Sequence, residues 1–343
     1  MSKIKVGISI GDLNGIGIET IIKTFQDSRM MDFCTPIVFG STNATSIHRK
    51  AIGIQDFSFN MINNIKDANP KRVNLLKIWD ENIEIHFGKA TNKSGELSFD
   101  SLKKASNALK NKDIDVLVTA PINKASIQEK ITNFIGHTEF LQGNFEGESL
   151  MIMASEKMKI AFVTAHIPLT EVKKFISINN IILKTKKLNT ALIEDFGIRM
   201  PKIAVLGLNP HAGENGLLGK EEGECIIPAI KKLKQENIMV FGPYPADSFF
   251  TRKNLDNFDG ILSMYHDQGL TAFKTLSFSD GVNVTSGLNI VRTSPVHGTA
   301  YEIAGKGIAS EKSFREAVFM ACDIYKNRAK FKTLNQNPLP FKS

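Results

Sequence analysis

A chain of 343 residues with 42% hydrophobic and 23% charged side chains has the composition of a soluble globular protein, long enough for two α/β cores. Its three cysteines, Cys34, Cys225 and Cys322, are isolated and make no CxxC pair, which argues against a disulfide scaffold and a cysteine zinc site. The net charge of +8 is spread over scattered lysines with no basic block between aromatics, so it predicts attraction of anions, with no nucleic acid and no membrane as partner; with no signal segment in view, the expected location is cytoplasmic.

Taken in chain order, residues 4–10 alternate as a strand and run into Gly11-Asp12-Leu13-Asn14-Gly15-Ile16-Gly17 before a helix. That loop is spaced GxxxGxG, so a standard Rossmann phosphate loop is not supported. Residues 97–109 read as an amphipathic helix, and residues 115–119 as a strand leading to Asn123 and Lys124. The strand at 159–164 leads to His166, the strand at 202–206 to Asn209 and His211, and the strand at 260–264 to His266 and Asp267. A helix is expected at 226–233, and another near the end, where Phe314, Ala317, Val318, Ala321 and Tyr325 share a face and Ser310 is a possible N-cap. Residues 335–343 read as a loose tail. The alternation predicts an α/β fold with a mainly parallel sheet covered on both faces.

Ligands of such sheets bind beyond the carboxyl ends of the strands, so the polar residues there are the candidates. Three of the seven histidines, His166, His211 and His266, directly follow apolar strands. One such histidine is more often a loop residue, but three suit zinc or a similar metal with a position left open. Asp247 and Asp267 read as orienting partners of the histidines, as further ligands, or simply as caps and turns. The stretch from Asn209 to Gly219 is a second glycine-rich loop, of a kind that lets backbone N–H groups approach phosphate. Lys274 and Arg292 read singly as surface charges, though Arg can clamp a carboxylate or phosphate with both nitrogens. His48 and His86 lie in no comparable context and read as surface residues. No GxSxG, Walker A or HExxH motif occurs.

Longer strings share one resemblance. Residues 118–124 (VTAPINK), 136–140 (GHTEF), 164–169 (TAHIPL), 207–214 (GLNPHAGE), 242–247 (GPYPAD), 264–270 (MYHDQGL), 281–285 (GVNVT) and 292–295 (RTSP) resemble, in order, the 4-hydroxythreonine-4-phosphate dehydrogenases. The resemblance implies two α/β/α lobes with a central cleft, like the isocitrate and isopropylmalate dehydrogenases. The first lobe is expected over 1–130 with 298–334, and the second, with most of the metal and substrate residues, over 131–297. It further implies a homodimer with the active site at the subunit interface. His166, His211 and His266 would hold a divalent metal (zinc, with magnesium or cobalt as alternatives). His137, Thr138, Lys274, Asn283 and Arg292 would hold the substrate. Asn209, Gly213 and Glu214 are the expected contacts of NAD or NADP, and Asp247, Asp267 and Lys274 the candidate catalytic groups.

The implied reaction oxidises 4-phosphohydroxy-L-threonine to a β-keto acid that decarboxylates to 3-amino-2-oxopropyl phosphate, in vitamin B6 synthesis. A same-fold dehydrogenase of another phosphorylated hydroxy acid or of a dihydrodiol carboxylate is the alternative, and a non-catalytic metal- or anion-binding protein a more distant one. The chain departs from the family at Leu13, Asn14 and Ile18 in its first loop, and at Val296, where the family carries aspartate.

Overall fold

Short aliphatic runs form the strands of a computed structural model that describes residues 3–79 and 83–336. In chain order they are β1 (Ile4–Ser9), β2 (Cys34–Gly40), β3 (Asn60–Ile62), β4 (Asn74–Lys77), β5 (Val116–Thr119) and β6 (Gly147–Ala154). There follow β7 (Lys159–Phe162), β8 (Ile203–Leu206), β9 (Val240–Tyr244), β10 (Gly260–Ser263), β11 (Val282–Leu288) and β12 (Arg292–Pro295). The chain forms two compact units, residues 1–149 with 288–325 and residues 150–287 with 326–343. The expected tail lies outside the described residues from 337 onward.

In the first unit the strand order is β3-β4-β2-β1-β5-β12, and the pairs are parallel. Burial on both faces explains why β1 and β2 are nearly continuous apolar runs. Val6 and Ile8 are wholly buried, as are Ile37 and Val38; each such side chain contributes about 1.5–3 kcal/mol relative to exposure. The helix Asn92–Lys110, capped by Thr91 and Ser94 in a reciprocal box, covers this sheet with Leu102, Ala105 and Leu109. It begins five residues before the expected start, because that cap is polar and leaves no mark on the apolar period.

The second unit has the order β11-β6-β7-β10-β8-β9. β7, β10, β8 and β9 are parallel, and β6 runs antiparallel to β7. Its helix Ile227–Gln235 agrees with the expected one, and a π-turn, Glu222–Ile226, precedes it. The final helix, Lys312–Leu334, starts beyond Ser310, whose hydroxyl accepts the Lys312 N–H at 3.4 Å.

Two expectations are corrected here. Residues 131–149 lie with the first unit, because Phe134 and Leu141 pack in one cluster with Ile37, Phe39 and Leu117. Likewise residues 288–297 belong to the first unit, so that His137, Thr138 and Arg292 share it. His48, expected at the surface, is wholly buried: its Nε2–H donates to Leu13 O at 2.7 Å, and its ring meets Phe87 edge-on. Burial pulls its pKa down to about 4.

Candidate active site

The end of β5 and the start of β12 are neighbours, with Arg292 in register with Leu117. That pairing brings Arg292, 2% exposed, over Thr119, whose hydroxyl accepts its Nε at 3.1 Å and its Nη2 at 2.6 Å. Burial lowers the guanidinium to about 10, the carboxylate of Glu139 opposing, so it is a cation at neutral pH. Glu139 lies on the short helix His137–Gln142. The first residue of that helix, His137, has its Nε2 sealed from solvent without a hydrogen-bond partner. Burial, with the positive charges of Arg292 and Lys124 added, depresses its pKa well below the usual range, so the imidazole is neutral. Thr138 is half-buried beside it.

Asp12 anchors the first glycine loop, and it is wholly buried. Its carboxylate accepts Asn14 N–H at 2.9 Å, Ser94 hydroxyl at 3.2 Å and Tyr301 hydroxyl at 3.0 Å, while its own N–H donates to Pro121 O at 2.8 Å. Desolvation outweighs these donors and raises its pKa. Asn123 and Thr299 hydrogen-bond the Tyr301 phenol in turn. Asn14, one of the departures from the family, bonds Lys89 O at 2.8 Å and accepts the His86 N–H at 2.9 Å. The substitution thus ties the loop to the segment before the helix Asn92–Lys110.

The second unit carries the other candidates. His266 opens the helix His266–Ser277, stacks on Phe162, and donates from Nδ1 to Asp267 Oδ1 at 2.6 Å. That bond fixes the tautomer and leaves the Nε2 lone pair for a ligand. His166 lies beside it, with ring centroids 5.7 Å apart. Asp247 and Lys274 are exposed, and Asn283 is half-buried with its Oδ1 sealed and without a hydrogen-bond partner.

His211 stands on a segment of unusual conformation. Residues 211–215 all have left-handed φ/ψ, and four of them, His211, Ala212, Glu214 and Asn215, are not glycine. Each such residue costs about 1–2 kcal/mol. The compensation is Glu222, 3% exposed, which sequence reasoning missed. Its carboxylate accepts Leu208 N–H and Asn209 N–H, both at 2.8 Å, and the Asn209 amide at 2.9 Å. A Cβ at Gly213 would stand 2.6 Å from that carboxylate, so only glycine lets the loop close on it. Glu221 accepts a further bond from Asn209 and pairs with Lys173 at 2.7 Å, which holds its pKa near 2. The anion that these loop amides receive is therefore the protein's own carboxylate. Glutamate in the first turn of a helix is ordinary, so nothing in the sequence marks Glu222.

As a metal site, the donor set fits in kind but is not assembled as a trio. His166 and His266 are adjacent imidazoles, yet among the described residues no three His, Cys, Asp or Glu side chains come together as a metal-holding group. Among the described residues no helix is long and apolar enough to cross a membrane.

A family model described as pyridoxal phosphate biosynthetic protein PdxA matches residues 32–321. A 4-hydroxythreonine-4-phosphate dehydrogenase of Bacteroides thetaiotaomicron is 46% identical over 98% of this chain and 93% of its own. A relative from Oceanobacillus iheyensis, provisionally named a D-threonate 4-phosphate dehydrogenase, is 37% identical over 93% of this chain and 97% of its own. The crystal structure of a 4-hydroxythreonine-4-phosphate dehydrogenase from Klebsiella pneumoniae superposes with a TM-score of 0.81 at 30% identity, covering 95% of this chain and 98% of that one.

Proposed function

Because the chain belongs to the PdxA family of pyridoxal phosphate biosynthesis, we propose that it is a nicotinamide-linked dehydrogenase oxidising 4-phosphohydroxy-L-threonine. The single observation that supports this reading most is the 46% identity to a 4-hydroxythreonine-4-phosphate dehydrogenase over nearly the whole chain. The buried cation Arg292 beside neutral His137 is the chemistry an anionic hydroxy acid requires.

In the proposed reaction the secondary alcohol of the substrate loses a proton to a base and a hydride to the nicotinamide. The β-keto acid so formed loses carbon dioxide to give 3-amino-2-oxopropyl phosphate. Arg292, held by Thr119, binds one anionic end and fixes the reacting carbon. His137, being neutral, donates or accepts a hydrogen bond without adding charge. Thr138, Lys274 and Asn283 complete the proposed substrate contacts, and Asn209, Gly213 and Glu214 those of NAD or NADP. Asp247, Asp267 and Lys274 are the candidate bases; the bond from His266 commits Asp267 to orienting that imidazole. A divalent metal on His166, His211 and His266 would act as a Lewis acid toward the substrate oxygen. Among the described residues of the single chain these three histidines form no such group, and in the proposed homodimer the partner subunit completes the centre. The enzyme is proposed to work as a cytoplasmic homodimer.

The test is nicotinamide reduction by the purified protein with 4-phosphohydroxythreonine, before and after chelation and zinc replacement. Turnover lost on chelation and restored by zinc is expected. Turnover with D-threonate 4-phosphate alone would move the assignment to that substrate, which the Oceanobacillus relative's name makes the specific competitor.

A further inference from the structure

Asn123 and Lys124 end the segment after β5. Asn123 caps the helix Lys124–Gln128 through its side-chain oxygen, which accepts Ser126 N–H at 3.0 Å. Its side chain also hydrogen-bonds Tyr301, whose hydroxyl is tied to buried Asp12. The backbone from which Lys124 projects is thus fixed on two sides.

The side chain runs to the same place as Arg292 and His137. A Cβ placed on Gly136, the residue before His137, would stand 3.2 Å from Lys124 Cε, 3.3 Å from its Nζ and 2.8 Å from Glu139 Oε2. The helix of His137 and Glu139 therefore begins against the ammonium. Arg292 feels Glu139, and His137 feels both Arg292 and Lys124. Two cations and one carboxylate surround a neutral imidazole whose Nε2 is sealed and unpartnered. The cluster is net positive, and its donors approach from three separate residues. A tetrahedral phosphate, with three terminal oxygens, answers three such donors better than a planar carboxylate with two.

We propose that Lys124 is a further substrate-binding residue, whose ammonium shares the substrate's phosphate with Arg292 and His137. The inference rests on the reading of Arg292 and His137 as substrate contacts. Gly136 belongs to the same device: its missing side chain leaves room for the Lys124 tip, and its φ of 164° is extended backbone open to any residue.

The experiment is titration of the full-length protein with inorganic phosphate, followed by calorimetry and thermal denaturation, with acetate as comparison. The Lys124→Met protein is expected to bind phosphate at least tenfold more weakly, and Lys124→Arg within about threefold of the parent. Gly136→Ala, which keeps every charge but displaces the lysine tip, is expected to weaken phosphate several-fold. Lys103→Met, on the exposed face of the helix Asn92–Lys110, serves as the control for general charge and is expected to leave phosphate binding unchanged. With 4-phosphohydroxythreonine, Lys124→Met should raise KM at least tenfold with kcat within about threefold. Phosphate binding unchanged in Lys124→Met, equal loss in Lys103→Met, or tighter binding of acetate than phosphate would each overturn the proposal. If the parent protein turns over no phosphorylated hydroxy acid, the proposed function fails, while the phosphate titration still decides Lys124.

Discussion

Thr119, the last residue of β5, accepts two N–H groups of Arg292, the first residue of β12, through a single hydroxyl oxygen. Both residues are buried, so the bonds are made where water does not compete. Thr119→Val keeps the shape and removes that acceptor from a buried cation. The expected cost is about 1–3 kcal/mol of stability, read from urea denaturation, with a several-fold rise in KM for the phosphorylated substrate. Thr119→Ser should restore both. A valine variant with parental stability and KM would show that Arg292 is held by its other contacts alone.

His48 gives the fold a defined response to acid. Its folded pKa of about 4 lies below the unfolded value of about 6.5, so the unfolded chain takes up the proton first. Its contribution is therefore fully present above about pH 6.5 and is lost as pH falls toward 4, amounting to about 3 kcal/mol over that window. His48→Gln can donate the same bond to Leu13 O without titrating. Its unfolding free energy should fall less steeply between pH 6.5 and 4 than the parent's. Parallel curves for the two proteins would sink this assignment.

The strands and the ends where polar residues gather were legible because β-branched runs buried on both faces leave a strong period in the sequence. That logic placed His166 after β7 and His266 and Asp267 after β10, and the last two meet. His48 was not, because one histidine amid polar neighbours, Ser46, Arg49 and Lys50, carries no sign of the carbonyl that receives it from 35 residues away. The unit boundaries were misplaced for a related reason. Leu141 sits in a six-residue helix and Phe134 in the loop before it, and only tertiary packing assigns them to a core. Glu222 escaped because its partners are backbone N–H groups, to which no residue type corresponds.

Glu222 should prove more important to its loop than a buried acid usually is. Glu222→Gln offers one acceptor oxygen where three N–H groups need acceptors, and it turns an NH2 toward other donors. The left-handed residues 211–215 then lose part of what offsets their strain. Stability is expected to fall by about 2–3 kcal/mol, and limited proteolysis should cut between residues 209 and 219 faster than in the parent. Glu224→Gln, an exposed neighbour, should change neither. A Glu222→Gln protein as resistant as the parent would mean that the loop holds its shape without the carboxylate.

The proposed metal centre makes unequal demands on its three histidines. His166 and His266 are neighbours, with the second fixed by Asp267, whereas His211 is carried on the loop anchored by Glu222. Two neighbouring donors and a third on a separate loop predict a graded response in zinc content after loading and dialysis. His166→Ala and His266→Ala should each lose nearly all bound zinc. His211→Ala should retain a weaker site, measurable as a zinc affinity reduced about 10- to 100-fold, because two donors persist. Asp267→Asn keeps a hydrogen-bond acceptor but no charge, and should weaken zinc about tenfold, the usual cost of disturbing a ligand's orienting partner. Full zinc content in His166→Ala would refute the centre altogether. An equal, complete loss in all three alanine variants would mean that the loop closes on the metal as tightly as the fixed pair.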